Sequence, residues 1–137
     1  AKLDIPEQGV SMIVLEGVHG ESLAFGPGRV PGSEGPGAPV VLAGHRDTHF
    51  RHLQHLEPGD AVRLQGMDRQ WRRYQVTATR VVDSSRESLD TRSLARDTLV
   101  LITCYPFDSL DASGPLRYVV EAKPAYGMEQ IDTVAAL

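Results

Sequence analysis

Lysine is nearly absent from this chain. Lys2 and Lys123 are the only two in 137 residues, so the basic charge is almost all arginine. Lys+Arg number 14 against 18 Asp+Glu, a formal charge of −4. That balance argues against a nucleic-acid-binding domain, which carries a basic stripe. Cysteine is limited to Cys104, which excludes an intrachain disulfide. Long hydrophobic runs are also missing. Met12-Ile13-Val14-Leu15 and Leu99-Val100-Leu101-Ile102 fall far short of the roughly 20 residues that cross a bilayer as a helix. No internal repeat and no low-complexity tract is present. Disorder is excluded too, since 41% of residues are hydrophobic and 23% charged. Residues 1–137 read as one domain on a prior of about 150 residues per domain. A chain of this size buries roughly two-thirds of its unfolded surface, enough for a core without disulfide or metal.

What is present is a series of short strands. Residues 10–15 form the first apolar stretch, and 21–25 suit one helical turn. Residues 26–38 hold five glycines and three prolines, a composition that excludes a regular helix or central strand and predicts a surface loop. Val40-Val41-Leu42-Ala43 is a short β-rich run that stops at Gly44 and His45. Residues 49–56 fit a short helix, with Phe50, Leu53 and Leu56 on one stripe. After the turn Glu57-Pro58-Gly59-Asp60, residues 61–65 alternate apolar and polar, as a half-buried strand does. A turn at 66–70 leads into a long strand, with Tyr74, Val76, Ala78 and Val82 expected on one face and Gln75, Thr77 and Thr79 on the other. Residues 89–96 suit a short helical turn. Residues 98–103 are apolar enough for burial on both faces. In the last strand, 116–122, Leu116, Tyr118, Val120 and Ala122 share one face, and Arg117, Val119 and Glu121 the other. Many short strands with few, brief helices predict an all-β fold closed into an antiparallel or mixed barrel, which leaves no exposed sheet edge.

Three residues stand where strands end. A lone cysteine is ordinarily a small buried hydrophobe. Cys104, however, closes an apolar strand, and Pro106 two residues later forces the ladder to break, so its thiol comes within reach of solvent. His45 also follows a short apolar strand, after a glycine. A free thiol titrates near pH 8.5 and imidazole near 6.5, and their mutual attraction favours thiolate and imidazolium. The thiolate is a nucleophile, and the imidazolium can protonate a leaving amine. Arg117 cannot act as a base. It can favour the thiolate and donate hydrogen bonds to an oxyanion or a substrate carbonyl. On sequence alone, each of the three also fits a plain structural role.

His45, His49, His52 and His55 form a competing signal for metal ligation. No HExxH pattern accompanies them, and they equally form a polar flank beside the Phe50/Leu53/Leu56 stripe. The glycine loop lacks the Lys-Ser/Thr of a phosphate cradle and reads as a loop that could form part of a site wall.

Taken in order, several runs resemble the sortases, cysteine transpeptidases that attach proteins to bacterial surfaces or join pilin subunits. They are Gly9-Val10-Ser11 through Leu15-Glu16-Gly17, Gly26-Pro27-Gly28-Arg29-Val30-Pro31-Gly32-Ser33, Ala43-Gly44-His45-Arg46-Asp47-Thr48-His49-Phe50, Leu56-Glu57-Pro58-Gly59-Asp60, Thr98-Leu99-Val100-Leu101-Ile102-Thr103-Cys104-Tyr105-Pro106-Phe107 and Arg117-Tyr118-Val119-Val120. The Thr-Leu-x-x-x-Thr-Cys strand with a downstream arginine carries the most specificity. The His-Arg-Asp-Thr-His-Phe and Thr-Cys-Tyr-Pro-Phe runs resemble class D sortases or those of Gram-negative bacteria most.

The resemblance implies an eight-stranded sortase barrel. It also implies His45, Cys104 and Arg117 as the catalytic trio, with Asp47 and Thr103 supporting them. By the same analogy, Cys104 attacks the Thr–Gly carbonyl of a Leu-Pro-x-Thr-Gly-like sorting signal, and an amine acceptor (a wall precursor, a pilin or another protein) resolves the thioacyl enzyme. It implies no resident cofactor. Glu57, Asp60 and Asp83 are the oxygen donors a calcium ion would use. It further implies a protein substrate, no nucleic acid, and a place on the extracytoplasmic face of a bacterial membrane, through an N-terminal anchor lying outside these residues. The alternatives are another Cys–His thiol hydrolase or a non-catalytic wall-binding module. Papain-like enzymes carry cysteine before histidine, on a helix, the reverse of the order here. The His-Gly-Cys of L,D-transpeptidases is absent.

Overall fold

The computed structural model describes residues 1–16, 26–30, 39–45, 49–66, 68–86, 97–105, 107 and 114–125. Nine strands form one sheet: β1 (Lys2–Ile5), β2 (Val10–Ile13), β3 (Leu15–Glu16), β4 (Gly28–Arg29), β5 (Val40–Ala43), β6 (Ala61–Gln65), β7 (Trp71–Asp83), β8 (Leu99–Cys104) and β9 (Leu116–Pro124). Their order across the sheet is β2-β1-β6-β7-β9-β8-β5-β4-β3. The two ends of that order, β2 and β3, are successive pieces of one chain segment interrupted only at Val14. The Val14 N–H bonds Ala1 O at 2.8 Å on one side of the break, and the Leu15 N–H bonds Pro27 O at 2.8 Å on the other. The sheet therefore curls until a single segment serves both edges. Counted as one strand, β2–β3 makes the expected eight-stranded barrel. The sheet is mixed: β3/β4 and β5/β8 pair parallel, and the other pairs are antiparallel.

Alternation fills the interior. Leu3, Ile5, Val62, Val76, Leu99, Leu101, Val120 and Ala122 are all 2% exposed or less and belong to one core cluster. Burying a side chain of this kind contributes about 1.5–3 kcal/mol. The short helix is 3-10, over Arg51–His55. Its period of three residues eclipses positions i and i+3. That is why Phe50, Leu53 and Leu56 form one buried stripe, while His52 and His55 share a flanking edge.

Strand β8 is buried on both faces, as its continuous apolar run predicts. Leu99 and Leu101 face the main core, and Val100 joins Val41 and Val119 in a second, smaller cluster on the opposite side. Val30, Val82 and Ile102 pack against that second cluster.

Three sequence expectations need correction. Residues 26–38 are not simply a surface loop: Gly26, Pro27 and Gly28 are buried, and Gly28–Arg29 is β4. A Cβ on Gly26 would stand 2.4 Å from Ile13 O, so the chain passes there only as glycine. Strand β1 was not anticipated. Finally, Ala78 and Val82 do not share a face with Tyr74 and Val76. The register with β9 shifts between Val76 and Ala78, and a β-bulge of this kind reverses side-chain facing beyond it. Val82 consequently pairs with Arg117 and packs in the second cluster. The helical turns expected at 21–25 and 89–96 lie outside the described residues.

Candidate active site

The last residue of β8, Cys104, pairs directly with Arg117 of β9. One step on, the Tyr105 N–H bonds Leu116 O at 3.1 Å, which makes Tyr105/Leu116 a hydrogen-bonded pair. Such pairs alternate along an antiparallel ladder, so Cys104/Arg117 is of the non-hydrogen-bonded type. In that type the Cα atoms lie about 4.5 Å apart and the side chains approach most closely. Both project from the face that carries the Val41/Val100/Val119 cluster. Both are half-buried.

The end of β5 lies along the other side of β8. Its parallel register runs Val40/Leu99 to Ala43/Ile102, and the Gly44 N–H extends the ladder to Ile102 O at 3.2 Å. Carried forward, this register sets Gly44 beside Thr103 and His45 level with Cys104. His45 is exposed, and its carbonyl accepts the Phe50 N–H at 3.0 Å, which turns the chain away from the sheet. The ends of three adjacent strands thus bring His45, Cys104 and Arg117 into one row.

Two contacts hold that row. Thr103, only 3% exposed, donates its Oγ1 hydroxyl to Gly44 O at 2.7 Å. This bond fastens the end of β5 to the end of β8, immediately beside His45 and Cys104. Gly44 itself lies against Phe50: a Cβ at Gly44 would come within 2.9 Å of the ring and 3.3 Å of Pro27. Glycine here is a packing requirement, a constraint that its sequence position as a strand stop did not disclose.

On the opposite face, Tyr105 stacks on Tyr118 with centroids 6.1 Å apart and planes inclined at 17°. Phe107 meets Tyr118 edge-on at 5.2 Å. The chain leaving Cys104 is therefore packed against β9 by three aromatic rings.

The Arg117 guanidinium turns back along its own strand. Its Nη1 donates to Gly114 O at 2.6 Å and to Leu116 O at 2.9 Å. Both of these bonds are made by one nitrogen of the planar fork. Arg117 is not the solvated strand-face charge that its sequence context alone allowed.

The remaining candidates do not join the row. Asp47 lies outside the described residues. Among the described residues no three His, Cys, Asp or Glu side chains converge on a common point. His52 and His55 stay on the 3-10 helix. Asp60 sits beside Val76, whose N–H bonds its carbonyl, whereas Asp83 ends the same strand seven residues on. At about 3.3 Å per residue the two are roughly 20 Å apart, so Glu57, Asp60 and Asp83 cannot ligate one calcium ion.

A barrel with a cysteine, an arginine and a histidine at three adjacent strand ends is the architecture of a known class. Residues 3–125 match the Sortase domain family model, and the chain belongs to the sortase family, whose members are cysteine transpeptidases of the bacterial cell surface. It is 35% identical over 123 residues to Sortase D of Bacillus subtilis, a match covering 88% of this chain and 61% of that protein. The chain thus spans about 61% of the length of that curated relative, whose class agrees with the class D resemblance. Among solved structures it is similar to sortase C-1 of Actinomyces oris (TM-score 0.74, 27% identity, 90% of this chain and 72% of that one). It is also similar to Sortase A of Corynebacterium diphtheriae (TM-score 0.75, 26% identity, 90% of this chain and 59% of that one). No helix among the described residues is long and apolar enough to cross a membrane.

Proposed function

We propose that residues 1–137 form one catalytic domain that cleaves a Leu-Pro-x-Thr-Gly-like sorting signal between Thr and Gly and transfers the protein to an amine. The observation that carries this reading is the juxtaposition of Cys104 and Arg117 as a close cross-strand pair, with His45 level with them on the neighbouring strand.

In this reading the Cys104 thiolate adds to the threonine carbonyl, and the carbonyl π electrons move to oxygen. The Arg117 guanidinium, on the residue paired with Cys104, donates to that oxyanion. Preorganised donors of this kind act where charge develops, without reorganising. When the tetrahedral species collapses, the C–N bond breaks and the leaving glycine amine takes a proton from the His45 imidazolium. The thioester remains on Cys104. An incoming amine then gives its proton to neutral His45 as it attacks, Cys104 departs as thiolate, and the enzyme returns to its starting charge state. Thr103 holds the His45 strand end to the Cys104 strand end throughout. These residues need no cofactor for the sequence of steps.

The substrate is a surface protein bearing the signal. The acceptor is a wall precursor, a pilin or another protein amine, and the domain works on the extracytoplasmic face of the bacterial membrane. Replacement of the nucleophile tests the reading. Cys104→Ala is expected to retain the fold by circular dichroism and to abolish cleavage of a Leu-Pro-x-Thr-Gly peptide. Cleavage at the wild-type rate would remove Cys104 from the reaction.

A further inference from the structure

The segment entering β9 is held at three successive carbonyls. Gly114 O accepts Arg117 Nη1 at 2.6 Å. Leu116 O accepts the same Nη1 at 2.9 Å and the Tyr105 N–H at 3.1 Å. Between them, Pro115 O accepts two donors from Ser84, its N–H at 2.9 Å and its hydroxyl at 2.7 Å.

Ser84 follows directly on β7, and the register Asp83/Leu116 sets it opposite Pro115. An antiparallel pair of this type normally exchanges two backbone bonds. Proline has no N–H to return, so the ladder is one bond short at this point. The Ser84 hydroxyl adds a second donor at the same acceptor. Proline also transmits what happens at its carbonyl. Its ring locks φ near −65°, so the Gly114–Pro115 peptide plane has a nearly fixed relation to the Pro115 Cα. With the Pro115 carbonyl held, only rotation about the Pro115 Cα–C bond is left to redirect the Gly114 carbonyl. Gly114 imposes no constraint of its own, since nothing lies within 4 Å of its Cβ position.

We propose that Ser84 is a positioning residue for Arg117: by clamping the Pro115 carbonyl it steadies the Gly114 carbonyl that holds the guanidinium of the residue paired with Cys104. The inference rests on the reading that Arg117 serves the reaction at Cys104. It adds the residue that follows directly on β7, outside every motif that the sequence singled out.

Alkylation of Cys104 by iodoacetamide tests it without a sorting peptide. Alkylation proceeds through the thiolate, so its rate is expected to respond when the guanidinium of the residue paired with Cys104 loses its anchor. Loss of one hydrogen bond predicts that Ser84→Ala slows alkylation about three-fold, while Ser84→Thr, which keeps the hydroxyl, stays at the wild-type rate. Arg117→Ala is expected to slow it about ten-fold. The Ser84→Ala/Arg117→Ala double variant should be no slower than Arg117→Ala alone, because coupled residues are non-additive. Ser85→Ala loosens the same turn, where Ser85 donates to Asp83, but leaves Pro115 untouched and should react as wild type. A wild-type rate in Ser84→Ala, multiplicative losses in the double variant, or equal slowing by Ser85→Ala would each overturn the proposal. A wild-type protein that alkylates normally but never acylates a peptide would end the transpeptidase reading instead, and would leave this cycle interpretable.

Discussion

Thr103 and Gly44 are joined by a 2.7 Å hydrogen bond from a buried hydroxyl to a strand-end carbonyl. The bond crosses from β8 to β5 one residue short of both Cys104 and His45. It therefore links the strand end of the proposed nucleophile to that of the proposed proton donor, although neither partner touches the substrate in the proposed reaction. Thr103→Val keeps the side-chain volume and deletes the donor. It is expected to destabilise the fold by about 1 kcal/mol, since the half-buried Gly44 carbonyl loses its side-chain donor. It should also lower kcat more than it raises KM. Thr103→Ser should retain most of both. Thermal unfolding and steady-state peptide cleavage of the two variants check this.

Arg117→Lys keeps the charge and removes the fork. Arg117 holds two backbone carbonyls with one nitrogen of a planar fork. An ammonium offers no second planar edge while its donors are engaged. The variant should lose on the order of 100-fold in kcat, as when an oxyanion donor is removed. Single-turnover acylation rates measure this loss directly. A wild-type rate would reduce Arg117 to a structural role.

Gly44→Ala places a methyl 2.9 Å from the Phe50 ring, which is itself fully buried. The contact is with the ring rather than a flexible chain end, so either Phe50 or the end of β5 must move. Overpacking of this kind costs about 1–3 kcal/mol. Because His45 follows directly, activity should fall by more than the loss of folded protein explains. Comparing unfolding free energy with kcat separates the two effects.

The acid side of the stability profile should depend on two opposing groups. A hydrogen bond with Asp60 raises the Glu7 carboxyl above its ordinary value, with desolvation adding to the shift. Its folded value lies above its unfolded one, so its contribution is complete at low pH and is lost as pH rises through the folded value. Glu7→Gln should remove that loss and flatten the melting temperature between about pH 4 and pH 6. Asp83 behaves oppositely. Hydrogen bonds from the Ser85 hydroxyl and N–H lower its value, so its contribution is present above the unfolded value and fades as pH falls through the folded one. Asp83→Asn should therefore lower the melting temperature at neutral pH and not at strongly acidic pH. Melting curves across this range show both signs.

Local alternation made much of the barrel readable. Val62 and Leu64 mark β6, and the inward positions of β9 follow from the same period. The unbroken apolar character of β8 indicated its two buried faces. Strand β4 escaped because its two residues, glycine and arginine, carry no apolar alternation. Strand β1 offered only Leu3 and Ile5 at a chain end. The facing of Val82 failed because a bulge changes parity without changing composition. For the site, residue types and motif order pointed to His45, Cys104 and Arg117, but nothing local indicates that β5 and β8 pair in parallel. That pairing is long-range and sets the row. Gly44 and Ser84 were likewise silent, since a glycine under an aromatic ring and a serine opposite a proline look ordinary until the strands are paired.

Intact-protein and peptide mass spectrometry, after incubation with a Leu-Pro-x-Thr-Gly peptide library and no amine acceptor, tests the central assignment most directly. The expected product is a thioester carrying the peptide through its threonine, mapped to Cys104 and discharged by added amine with release of free enzyme. An adduct on a different side chain, or peptide cleavage with Cys104 unmodified throughout, would contradict it.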